Sequence, residues 1–381
     1  MSAALELTKQ LIAFDTTSRG SNLALIDYAQ ELLEKSGARC RRTYDASGKK
    51  ANLLATLGPD GDGGYVLSGH TDVVPVDGQD WSSDPFMPEV RGGLLYGRGA
   101  CDMKGFLGTA LSLAGEIGKT KLTRPIHFAL SYDEEVGCAG APGLLADLVA
   151  AHIKPALAII GEPTDMKVVG AHKGGVGFRT RCLGHEGHSS APHKGASAVM
   201  MAGEFIAALG QVAHELEADR DPHFDPPYST TLANIISGGT AQNILAREAI
   251  ITWECRTLPG RDGKSVGARM GELVQLQILP KYRTGATDAA IDTKVMTVYP
   301  GLALDADSPA VALARELSGA NAVETVAYGT EAGLFQQAGI SAVVCGPGSI
   351  EQAHKPDEFV KLSELDACEK FLRRLISKAS A

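Results

Sequence analysis

SGHTDVVPVD, Ser68 to Asp77, followed by GRGACDMKGF, Gly97 to Phe106, decides how this chain is read. A strand-like run, YVLSG, delivers His70, and Asp72 follows at the next same-face position. Asp102 stands in a glycine-rich turn that enters a helix-like segment from Met103 to about Ile117. The pattern then repeats along the chain. Glu134 and Glu135 follow the run PIHFALSY (Pro125 to Tyr132), Glu162 follows ALAII (Ala156 to Ile160), and His354 follows SAVVCGPG (Ser341 to Gly348) after a short loop. Open α/β sheets place their ligand sites beyond the carboxyl ends of such strands.

Two imidazoles and at least three carboxylates form a borderline-to-hard donor set, suited to zinc, cobalt or manganese. A carboxylate can bridge two ions about 3.5–4 Å apart, which favours a pair of divalent ions over one. Asp72 is expected to accept the second ring N–H of His70 and so fix its tautomer. Of the adjacent Glu134 and Glu135, one is expected to bind metal and the other to move a proton. Each of these residues alone would read as a turn former or solvated surface; the combination carries the inference.

The rest of the chain sets the frame. It has 381 residues, 44% hydrophobic and 21% charged, enough for two domains. Helical and strand patterns alternate through the first third, an α/β layer with crossovers. From about Val176 to Arg283 the texture becomes hairpin-rich α+β, which reads as an inserted domain. A Gly/Ala/Asp-rich stretch, Thr284 to Asp292, precedes the return of α/β texture. The expected domains are therefore 1–175 with 284–381, and 176–283.

A net charge of -9 supplies no general attraction to nucleic acid or anionic membrane. The N-terminus has neither a signal-peptide pattern nor a membrane span, so a cytoplasmic location is expected. Seven cysteines are scattered without a C-x-x-C pair, which argues against a disulfide framework or a cysteine zinc site.

Together GHTDVVPVD, GRGACDMKG, DEEVG, GEPT, HKGGV, GHEGHSSAPHKGASA and PGSIEQAHKPDEF resemble the M20 dinuclear zinc amidohydrolases, in that family's order. The resemblance implies a zinc-peptidase-like mixed sheet flanked by helices, with the insert as an α+β lid and dimerisation domain. It implies two zinc ions, replaceable by cobalt or manganese, with His70 and Glu162 on one, Glu135 and His354 on the other, and Asp102 bridging. Glu134 would be the general base, and the peptide bond after Asp102 would often be cis. His188 would reach the partner subunit's active site in a homodimer, while Asn243 and Arg256 would bind the substrate carboxylate.

Glu162, where aminopeptidase members tend to have Asp, implies an acylated amino acid with a free carboxylate. AHKGGV, YGTEAGLF and CGPGSIEQAHKPDE resemble the branch that cleaves N-acetyl-L-ornithine to L-ornithine and acetate in arginine biosynthesis. In YGTEAGLF, Glu331 would face the substrate ammonium, or would only order the loop around Thr330. The alternatives are a succinyl-diaminopimelate desuccinylase, another N-acyl-amino-acid amidohydrolase, a dipeptidase, or a non-catalytic metal-binding homologue.

Overall fold

The computed structural model describes residues 2–381. The chain divides into two compact units, the first of Met1–Ala171, Leu302–Thr325 and Thr330–Ala381, the second of His172–Gly301 and Val326–Gly329.

An eight-stranded sheet runs Arg39–Tyr44, Ala51–Leu57, Ile126–Ser131, Tyr65–His70, Leu157–Ile160, Ser341–Val344, Val169–His172, Glu324–Val326. The four strands from Ile126–Ser131 to Ser341–Val344 are parallel. Every residue of Ala51–Leu57, Tyr65–His70, Ile126–Ser131 and Leu157–Ile160 is buried. That explains their continuous apolar runs, since a sheet covered on both faces has no reason to alternate. The register pairs His70 with Ser131, and Ser68 and Val344 both with Ile160, so the parallel strands end nearly level. One edge of the sheet thus receives all the loops that follow them.

Helices cover this sheet through a core that includes Leu11, Leu25, Leu33, Phe106, Phe128 and Phe371. Helix Ala3–Ile12 starts at Ser2, whose side chain accepts from the Leu5 N–H, a standard N-cap. It crosses helix Lys104–Ser112 closely enough that a Cβ at Gly108 would stand 2.3 Å from Thr8 Oγ1. The single helix expected from Met103 to about Ile117 is instead two, Lys104–Ser112 and Ala114–Lys119. A second close approach falls in Ala114–Lys119, where a Cβ at Gly118 would lie 2.0 Å from the Ser36 carbonyl oxygen.

The second unit is a four-stranded antiparallel sheet in the order Thr230–Gly238, Glu248–Thr257, Gly174–Leu183, Ala290–Tyr299. Alternate residues of Gly174–Leu183, among them Val176, Phe178 and Cys182, join a core with residues of helix Ala198–Leu216. Trp253 stacks on Phe178 with ring centroids 4.0 Å apart and meets Phe205 edge-on, while its indole N–H donates to Thr180 Oγ1 at 2.8 Å. A boundary at 284 would separate Ala290–Tyr299 from this sheet. The structure pairs that strand with Gly174–Leu183 along its length, and the chain re-enters the first unit only at Leu302.

Among the described residues, no helix is long and apolar enough to cross a membrane.

Candidate functional site

The level edge of the parallel strands gathers the ligand candidates. His70 ends its own strand, Glu134 and Glu135 follow Ile126–Ser131, Glu162 follows Leu157–Ile160, and His354 lies in the loop after Ser341–Val344. Asp102 comes from the turn that leads into helix Lys104–Ser112, and its peptide bond to Met103 is cis. Its two oxygens face the two imidazoles: Oδ1 lies 2.9 Å from His70 Nε2, and Oδ2 lies 3.2 Å from His354 Nε2. Glu162 Oε1 stands 3.8 Å from His70 Nε2, and Glu135 Oε2 stands 3.0 Å from His354 Nε2. Two clusters result, His70–Asp102–Glu162 and Asp102–Glu135–His354, each with ligand atoms within 4.8 Å of one another and sharing Asp102.

His70 Nδ1 bonds the backbone carbonyl of Asp72 at 2.9 Å, whereas the Asp72 carboxylate is 3.6 Å away. The expected partner within Asp72 is therefore corrected from side chain to main chain. The chain turns after His70, which brings the carbonyl under the ring and leaves the carboxylate for another task. It accepts the N–H groups of Glu134 at 3.1 Å and Glu135 at 3.3 Å, and the Ser18 hydroxyl at 2.7 Å. These amides lie beyond the strand ladder and would otherwise lack partners. Lys50 joins the same network through Asp133, at 2.5 and 2.6 Å, and the Ser18 carbonyl. Sequence reasoning missed Ser18, Lys50 and Asp133.

The donor chemistry fits a cation. A carbonyl can only accept, so His70 Nδ1 carries a proton, and Nε2 faces the Asp102 carboxylate. Two electron-rich atoms at that distance require positive charge between them, from a proton or a metal ion. Glu135 Oε1 is buried without a hydrogen-bond partner, a further acceptor held ready. Burial pushes the Cys101 and Cys138 thiols well above their usual range, so neither is a thiolate.

Desolvation pushes the Glu134 carboxyl up to about 8, against the pull of His70 and with added repulsion from Glu135, Glu331 and Asp102. Glu135 is raised to about 7, by desolvation first and the Asp102 charge next. His354, half-exposed, is raised to about 11 by its hydrogen bonds to Asp102 and Glu135. Divalent charge at the clusters would favour the ionised carboxylates.

Thr330 and Glu331 also belong to the first unit. Thr330 Oγ1 accepts the Ala332 N–H at 3.0 Å. Glu331 is 1% exposed; its Oε2 accepts from Ser68 Oγ at 3.4 Å, and its Oε1 is buried without a partner. Its carboxylate thus reaches a central strand rather than its own loop.

His188, Asn243 and Arg256 lie in the second unit. His188 is exposed, and its Nδ1 lies 2.7 Å from Ser190 Oγ and 3.2 Å from the Ser190 N–H, which leaves Nε2 without a contact to that loop. Asn243 is brought beside it, its carbonyl accepting the Ser189 N–H at 3.0 Å. Arg256 pairs with Glu254 at 3.0 Å and donates to the Tyr299 hydroxyl.

Level parallel strands whose carboxyl edge assembles imidazoles and carboxylates around one shared aspartate define a metallohydrolase-type centre. The chain belongs to peptidase family M20/M25/M40, whose pattern matches residues 66–378, and it is a hydrolase acting on amide bonds. It is 38% identical over 374 residues to an acetylornithine deacetylase of Myxococcus xanthus, covering 97% of this chain and 95% of that protein. In fold it is similar to an M20 family metallo-carboxypeptidase from Sulfolobus solfataricus, with a TM-score of 0.79, 18% identity and coverage of 99% of both chains. A Bacillus subtilis protein described as a dinuclear metal binding peptidase from the M20 family matches with a TM-score of 0.65 and 17% identity, over 98% of this chain and 96% of that one.

Proposed function

We propose that this chain removes the acyl group from an N-acyl amino acid, with N-acetyl-L-ornithine as substrate and L-ornithine and acetate as products. The observation that carries the chemistry is the pair of clusters sharing Asp102, with Glu134 beside them. The substrate assignment rests on the likeness to the Myxococcus deacetylase.

His70, Asp102 and Glu162 would hold one divalent ion, and Asp102, Glu135 and His354 a second, zinc being the expected metal. Such ions supply the charge that polarises an acyl carbonyl and acidifies water. Glu134 takes the proton of the attacking water and returns it to the leaving amine. Asp72 holds Glu134 and Glu135 in place through their two N–H groups. Supported by the family resemblance, His188 donates its Nε2–H to the developing oxyanion from a second copy of the chain. Asn243 and Arg256 take the substrate carboxylate, and the unpartnered Glu331 Oε1 takes the ammonium group.

The test is hydrolysis of N-acetyl-L-ornithine, N-succinyl-diaminopimelate, N-acetylmethionine and a free dipeptide, with added zinc or cobalt and again with chelator. Acetylornithine should be cleaved preferentially, and chelator should abolish the reaction. A different preferred substrate with the same metal dependence would overturn the substrate assignment alone. No turnover by folded, metal-loaded protein would overturn the hydrolytic reading of these residues.

A homodimer is part of the proposal. Thr230–Gly238 is an edge strand of its sheet, and Ile235 (62% exposed) and Ile236 (51%) sit on it in sequence. An open apolar edge with unpaired N–H and C=O groups favours addition of a matching strand. Ile236→Asp should convert a dimer to a monomer in sedimentation velocity; a wild-type chain that is monomeric at micromolar concentration would refute the interface.

A further inference from the structure

The turn that presents Asp102 has no ladder of its own, yet each of its N–H groups is satisfied. Gly97 N–H donates to the Glu358 carbonyl at 3.0 Å, Arg98 N–H to Pro85, and Ala100 N–H back to Gly97. The remaining three all reach one carboxylate. Gly99 N–H donates to Glu358 Oε2 at 3.0 Å, while Cys101 and Asp102 N–H donate to Glu358 Oε1 at 2.9 and 3.1 Å. Arg98 completes the set by donating to Oε2 at 2.7 Å, and both side chains are 1% exposed. Four of the six N–H groups from Gly97 to Asp102 therefore terminate on a residue more than 250 positions away.

The same ion pair grips the His354 loop. Arg98 donates to Gln79 Oε1 at 2.5 Å, and Gln79 Nε2 donates to the His354 carbonyl at 2.8 Å. Glu358 itself lies four residues after His354 and leads into strand Phe359–Lys361, which pairs with Leu94–Tyr96. Asp102 and His354, from turns far apart in sequence, are thus referenced to one buried pair.

We propose that Glu358, clamped by Arg98, is a positioning residue that fixes Asp102 and His354 in ion-binding geometry before any ion arrives. The proposal rests on the reading of the Asp102 clusters as metal sites. A carboxylate that accepts three amides and a guanidinium has no freedom to follow a ligand, so the geometry is set by the fold. Glutamine in its place keeps the shape but loses the charge, and puts an NH2 group where an amide N–H or Arg98 now donates.

The test compares wild type with Glu358→Gln for zinc affinity, by competition with a chromogenic chelator, and for ions retained per chain after dialysis. The gain in melting temperature on adding zinc is measured alongside. The variant should bind zinc roughly 10- to 100-fold more weakly, the range seen when partners that orient metal ligands are removed. A merely structural role would lower the melting temperature of the metal-free protein and leave zinc affinity unchanged, which would overturn the proposal. Wild type that retains no zinc would instead overturn the metal-site reading on which it rests. Hydrogen exchange on metal-free wild type provides a measurement independent of any variant. The Cys101 and Asp102 amides should be protected there, and exchange at the rate of an open loop would sink the idea of a preformed clamp.

Discussion

Glu134→Ala is expected to bind the same number of ions as wild type while turning over roughly 100- to 10,000-fold more slowly, the usual worth of a positioned general base. The separation of the two effects follows from the geometry. Neither ligand cluster includes Glu134, whose side chain instead meets the Cys138 thiol at 3.4 Å. Its main chain is held by the Asp72 carboxylate through an N–H that alanine keeps, so the loop carrying Glu135 should stay in place. The loss should appear in kcat with little change in KM, since proton transfer belongs to the transition state. Metal content by plasma emission and steady-state kinetics on one preparation would decide it. Near-normal kcat would take the proton-transfer role away from Glu134.

Asp102→Ala should be more severe, because it removes the one residue present in both clusters. His70 Nε2 and His354 Nε2 each lose their facing oxygen, and the remaining ligands, Glu162 with His70 and Glu135 with His354, become two separate pairs. The variant should retain less than one ion per chain after dialysis, and its activity should fall to the level of chelator-treated wild type. Two ions retained per chain would show that Asp102 is not shared between sites. Added zinc separates weakened binding from lost chemistry: activity regained at high zinc would mean that the cluster survives without its bridge.

Much of this was legible in the sequence, and the reason is physical. Strands buried on both faces read as unbroken apolar runs, as in Ala51–Leu57 and Leu157–Ile160, so the sheet and the loops at its edge could be placed. His70, Glu135 and Glu162 stood out because polar groups follow those runs closely, and His354 because it follows another such run after a short loop. What held them was hidden. The His70 tautomer is set by a backbone carbonyl, a group every residue has, and so leaves no mark in the sequence. Ser18 meets Asp72 across 54 positions and Glu358 meets Cys101 across 257, and nothing local in one chain announces such pairs. The strand Ala290–Tyr299 was obscured by the Gly/Ala/Asp-rich stretch it grows out of, before which the expected domain boundary falls, although the last residues of that stretch already pair with Gly174–Leu183.

The interrupted course of the first unit bears on how the protein is made. Strand Ser341–Val344 lies between Leu157–Ile160 and Val169–His172, and it comes from the stretch that follows the second unit. A ribosome therefore releases the whole second unit while the central sheet still has an empty slot with two bare strand borders facing it. Those borders are apolar and adhesive until Ser341–Val344 emerges. His354 arrives with the same segment, so a nascent chain cannot complete the Asp102–Glu135–His354 cluster until the stretch beyond the second unit has been made. Sheet closure and the second cluster thus become available together, only after the second unit has been synthesised.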